Sequence, residues 1–111
     1  MAYSEILARR IRAELEGMPG LVEKKMFGGI SFMLRGNLAC GVIGEEMIVR
    51  VGPERYEEVL KYPAAHPFTM TGRPMTGWVT VAAAGLEPES DLREWVRRGV
   101  DYVASLTDKE K

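Results

Sequence analysis

The sequence predicts an α+β domain, a mainly antiparallel sheet packed with three helices, on three observations. Apolar residues recur at helical spacing near both ends of the chain, the period drops to two between them, and elements run helix, strands, helix, strands, helix. The links between strands are too short for crossovers, which makes the sheet antiparallel. A chain of 111 residues suits one compact domain, expected over residues 1–106, with 107–111 as a charged flexible tail.

Tyr3, Leu7, Ile11, Leu15 and Met18 line one face of a first helix, and Glu5, Arg9, Arg12 and Glu16 form the opposite stripe. Gly17-Met-Pro-Gly20 ends it, because proline cannot continue a helix and glycine accepts a left-handed cap. Four short strands follow, over Val22–Phe27, Ile30–Arg35, Leu38–Ile43 and Met47–Val51, joined at Gly28-Gly29, Arg35-Gly36-Asn37 and Gly44-Glu45-Glu46. In the second, Ile30, Phe32 and Leu34 share a face, opposite Ser31, Met33 and Arg35. Gly52-Pro53 breaks the sheet and opens a short helix through Tyr56, Val59 and Leu60. Residues 64–75, with two prolines and a glycine, read as loop with a brief strand at Phe68–Met70; Gly77–Ala82 reads as a further strand. Pro88 opens the last helix, capped by Ser90 or Asp91, with Leu92, Trp95, Val96, Gly99, Val103 and Leu106 on its buried face.

Fifteen basic against sixteen acidic residues give a net charge of -1, which excludes a uniformly basic nucleic-acid wrapper. A lone cysteine, Cys40, forbids an internal disulfide, and with a lone histidine, His66, it cannot build a Cys/His zinc cage. The start lacks the basic and apolar regions of a signal peptide, and the weakly polar stretch Trp78–Leu86 is far too short to span a bilayer. A reducing, cytoplasmic setting is the expectation.

Most catalytic motifs are missing. No G-x-G occurs, so there is no dinucleotide fingerprint, and Gly36–Gly41 has P-loop spacing without the Lys and Ser/Thr that give it chemistry. Cys40 lies mid-strand with Leu38 and Val42 on its face, the place of a small buried apolar residue and not of an activated thiol. His66 sits in a proline-rich loop with no acid within six residues. On the last helix Arg93, Arg97 and Arg98 alternate with Glu94 and Asp101, which describes a solvated ion-pair face. Lys24 and Lys25 either protect a sheet edge or, beside Phe27 and two glycines, hold an anion.

The run from Glu23 through Lys-Lys-Met-Phe-Gly-Gly-Ile-Ser-Phe-Met-Leu-Arg-Gly-Asn-Leu-Ala-Cys-Gly-Val, continuing to Ile48-Val-Arg-Val, resembles the TfoX N-terminal domain family. So does Pro67-Phe-Thr-Met-Thr-Gly-Arg-Pro-Met with Gly77-Trp-Val-Thr-Val; the ordered set covers residues 3–106. Lys25, Met26, Phe27, Gly28, Gly29, Arg50, Gly72, Arg73 and Met75 match its signature positions. The resemblance implies a curved antiparallel sheet and a link to regulators of natural competence, which act on transcription together with the cyclic-AMP receptor protein. It brings no catalytic residue, cofactor or metal. Full-length regulators carry a second, helical domain, and this chain is expected to correspond to the first domain standing alone.

The resulting expectation is a cytoplasmic, non-enzymatic interaction module, an adaptor in transcriptional regulation with a protein partner from that machinery. Its candidate surface is Lys25, Phe27, Gly28, Gly29, Arg50 and Arg73. The alternative is a small-molecule or anion-binding domain around Gly28-Gly29, Arg50 and Arg73, since arginine at a strand end suits carboxylate or phosphate. Direct DNA binding is disfavoured by the charge balance and the lack of a helix-turn-helix pattern. A homodimer is expected if Trp78, Phe32 and the seven methionines leave an apolar face open.

Overall fold

The computed structural model describes residues 3–26, 28–70 and 72–109. Helix α1 spans Glu5–Leu15; Ser4 caps it by accepting a hydrogen bond from the Leu7 N–H at 3.1 Å, and Leu7, Ala8, Ile11 and Leu15 are its buried stripe. The strands are β1 (Leu21–Met26), β2 (Gly29–Leu34), β3 (Asn37–Ile43), β4 (Glu46–Arg50), β5 (Ala65–Met70) and β6 (Arg73–Val81). A short helix α2 (Tyr56–Val59) separates β4 from β5, and α3 (Glu89–Lys109) closes the chain after a 3-10 turn at Ala83–Leu86. All strand pairings are antiparallel, in the order β1-β2-β3-β4-β6-β5. The fold is α+β, with helices on one face of the sheet.

The helices cover the middle of the sheet. α3 lies across β3 and β4, and α1 packs on α3. Between them, Ile11, Leu15, Phe32, Val42, Met47, Val49, Val79, Val81, Leu92, Trp95 and Val96 form the main core. A smaller cluster of Leu34, Ala39 and Val103 sits further along α3. Arg12 fastens α1 to the edge strand β1: its Nε and Nη2 donate to the two carboxylate oxygens of Glu23 at 2.6 and 2.9 Å. That pairing lowers the Glu23 pKa and raises that of Arg12. Arg10 ties the same helix to the far end of the molecule, donating to the carbonyls of Leu86 and Glu87 at 2.7 and 3.2 Å.

The structure departs from the sequence reading at several points. The strands expected at Phe68–Met70 and Gly77–Ala82 are present but longer, running over Ala65–Met70 and Arg73–Val81, so that a long hairpin takes the place of most of the expected loop. β5 is an edge strand, so Pro67 forfeits no inner ladder bond, and an irregularity between Pro67 and Thr69 absorbs the misfit. A register shift at Phe32/Met33 leaves Ala39 without a direct partner, which removes Leu38 from the face of Cys40. The cap of α3 is Pro88, whose carbonyl accepts from Asp91 and Leu92, so Ser90 and Asp91 lie within the first turn. Phe32 is fully buried in the main core and contributes nothing to an open apolar face. At its other end α3 continues to Lys109, three residues into the charged tail.

The face turned away from the helices is also screened. Ser31, Gly41, Ile48 and Thr80 share a row across four strands, and all are buried. Burial without a covering helix is what a sheet curved toward that side produces.

Candidate functional site

The six candidate surface residues fall into separate places. Lys25 stands exposed on β1, and Lys24 beside it; β1 is an edge, where lysine blunts unwanted strand pairing. Gly28 makes the turn into β2 with φ +77°, while Gly29 is buried, its α-carbon packed so close to Val42 that no β-carbon fits. Phe27 lies outside the described residues. Arg50 ends β4, three residues along from Met47, whose row across the sheet reaches Lys25. Strand spacing and rise put Arg50 roughly 17 Å from Lys25. Arg73 is exposed beside the turn glycine Gly72, five residues down β6 from Trp78, the partner of Arg50 in register. One pocket joining Gly28-Gly29, Arg50 and Arg73 is therefore not formed.

Arg50 is the member with a built environment. Its guanidinium carbon lies 5.1 Å from the ring centre of Trp78 and 5.3 Å from that of Tyr102. Among the described residues it has no carboxylate partner. The backbone around it is made by two glycines. Gly77 (φ +93°) offers its carbonyl to the N–H groups of both Val51 and Gly52, at 2.8 and 3.0 Å. Gly52 (φ +90°) lets α3 approach: a β-carbon there would stand 2.5 Å from Cε1 of Tyr102 and push away the ring that faces Arg50. A guanidinium held over two rings keeps its planar set of N–H donors oriented at little entropic cost.

A second arginine, one helical turn before Tyr102 on α3, is held the same way. Arg98 lies 4.6 Å from the Trp95 ring centre and 4.9 Å from that of Tyr62, and its Nη2 donates to the Tyr62 hydroxyl at 2.8 Å. Glu94, one turn earlier, approaches its Nη1 at 3.8 Å. Between the start of α2 and the last turns of α3 is a cavity of about 330 Å³, bordered by Pro53, Glu54, Arg55, Arg98, Asp101 and Tyr102. Sequence spacing showed Arg98 among acids; its stacking on Tyr62, far away in sequence, left no local signal.

The other reactive side chains stand apart. Cys40 is fully buried, and burial pushes its thiol up to about 12. His66 is exposed on the edge strand β5. The buried hydroxyl of Ser31 finds no hydrogen-bond partner among the described residues. Ser31 and His66 share a row but are four strands apart, roughly 19 Å at ~4.8 Å per strand, far beyond the reach of a base to a nucleophile. No metal-binding group of His, Cys, Asp and Glu occurs among the described residues. Nor is any described helix long and apolar enough to cross a membrane.

The fold and the ordered motifs define a small α+β domain with an aromatic-held arginine at the end of its fourth strand. The TfoX N-terminal domain family matches residues 13–103, and the chain belongs to that family. No curated protein and no solved structure shows significant similarity to it.

Proposed function

We propose that this domain is a non-enzymatic cytoplasmic interaction module, an adaptor in transcriptional regulation that grips an acidic group of a protein partner through Arg50. The observation that carries this reading is the Arg50 guanidinium, half-buried over Trp78 and Tyr102 and without a carboxylate partner among the described residues. A cation so placed costs little to desolvate further and gains a charge-assisted, bidentate bond when a carboxylate arrives. Membership of the TfoX N-terminal domain family supports the regulatory setting. The test is affinity capture from the native lysate, with and without nuclease, read by mass spectrometry. A stoichiometric protein partner that survives nuclease is the expected result; partners that vanish with nuclease would instead indicate contact through nucleic acid.

A second reading, small-molecule binding, is favoured by the cavity beside Tyr102, with Arg98 fixed at its wall.

A further inference from the structure

We propose that the cavity between the Pro53–Arg55 turn and the C-terminal half of α3 is a site for a small zwitterion, an α-amino acid with an apolar side chain. This rests on the small-molecule reading and names its ligand class. The charges bordering the cavity are two guanidiniums, Arg55 and Arg98, and two carboxylates, Glu54 and Asp101. A phosphate or other polyanion meets the two acids, and an amine meets the two arginines. A molecule carrying both signs complements the set.

Placement strengthens the case. Arg98 and Asp101 are three apart on α3, neighbours on the helix surface, so a carboxylate on Arg98 leaves an attached ammonium near Asp101. Arg98 is already oriented by Trp95 and Tyr62, and of its five donors the Tyr62 hydroxyl takes one; Glu94 at 3.8 Å lies beyond hydrogen-bond distance. Ser105 donates its proton to the Tyr102 carbonyl at 2.7 Å, which leaves its oxygen lone pairs for an ammonium. Val51, Pro53, Leu106 and the Tyr102 ring supply the apolar wall. The volume, about 330 Å³, is at the small end of ligand sites and has room for an amino acid.

The test is titration of the protein with L-leucine, 4-methylpentanoate, 3-methylbutylamine and inorganic phosphate, followed by backbone amide shifts and calorimetry. Leucine is expected to shift the amides of Gly52, Glu54, Arg55 and Arg98–Leu106 with a Kd below about 1 mM, each single-charge analogue binding at least ~10-fold more weakly. Asp101→Asn, an exposed position that leaves the fold intact, is expected to weaken leucine ~10-fold, as is Arg98→Gln. Phosphate or 4-methylpentanoate binding there more tightly than leucine would overturn the zwitterion assignment but spare the small-molecule reading. No shift with any of the four would overturn both.

Discussion

At Gly29 a β-carbon would collide with the carbonyl of Val42, whereas at Gly28 it would meet nothing within 4 Å and only the φ of +77° stands against it. Gly29→Ala is therefore expected to cost more than about 3 kcal/mol, as a backbone collision inside the sheet, and Gly28→Ala only about 1 kcal/mol, as left-handed strain. Equilibrium urea unfolding of the two variants checks this. The signature run thus contains a residue that the fold requires, apart from any partner. Cys40 gives a prediction in pH. Its folded pKa of about 12 lies above the ordinary thiol value of 9.0, so above pH 9 the native state holds a proton that the unfolded chain has released. Stability from this group is intact below pH 9 and falls by up to about 1.4 kcal/mol per pH unit between 9 and 12. The slope of unfolding free energy against pH in that window should be shallower in Cys40→Ala than in the parent, and an equal slope would refute the assignment.

Among the elements, α3 shows packing overriding propensity. Gly99 costs the helix about 1 kcal/mol relative to alanine, yet it is where the helix rests on β3: a β-carbon there would collide with the Ala39 carbonyl. Gly99→Ala should gain that propensity and lose more to displacement of α3, a net loss of about 2 kcal/mol in urea unfolding. The helices α1 and α3 were legible because each buries one stripe whose period survives in the residues, and β1–β4 because turn residues at Gly28, Arg35-Gly36 and Gly44 punctuate them, although β2–β4 are buried on both faces. The β5–β6 hairpin was legible only at Phe68–Met70 and from Gly77 on, since Pro67 and Pro74 signal a break unless the strand is known to be an edge. The displacement of Leu38 was equally hidden, because a bulge changes register without changing composition.

Across the whole molecule, the sheet order decides what the candidate residues can do together. It places Lys25, Gly28 and Gly29 at one corner and Arg50 and Arg73 toward the other end, so the signature maps onto several sites. Arg50 at the end of the fourth strand could be picked out from sequence; Tyr102, far along the chain, could not, because only the tertiary approach of α3 at Gly52 brings it there. The most direct test of the adaptor account is quantitative capture of the nuclease-resistant partner by the parent, Arg50→Gln and Arg73→Gln proteins. Two exposed-to-half-buried cation–π contacts are worth about 1–2 kcal/mol, so Arg50→Gln should remain folded by circular dichroism. The account predicts that Arg50→Gln loses the partner at least ~10-fold while Arg73→Gln retains it. Equal retention by a folded Arg50→Gln protein would contradict it.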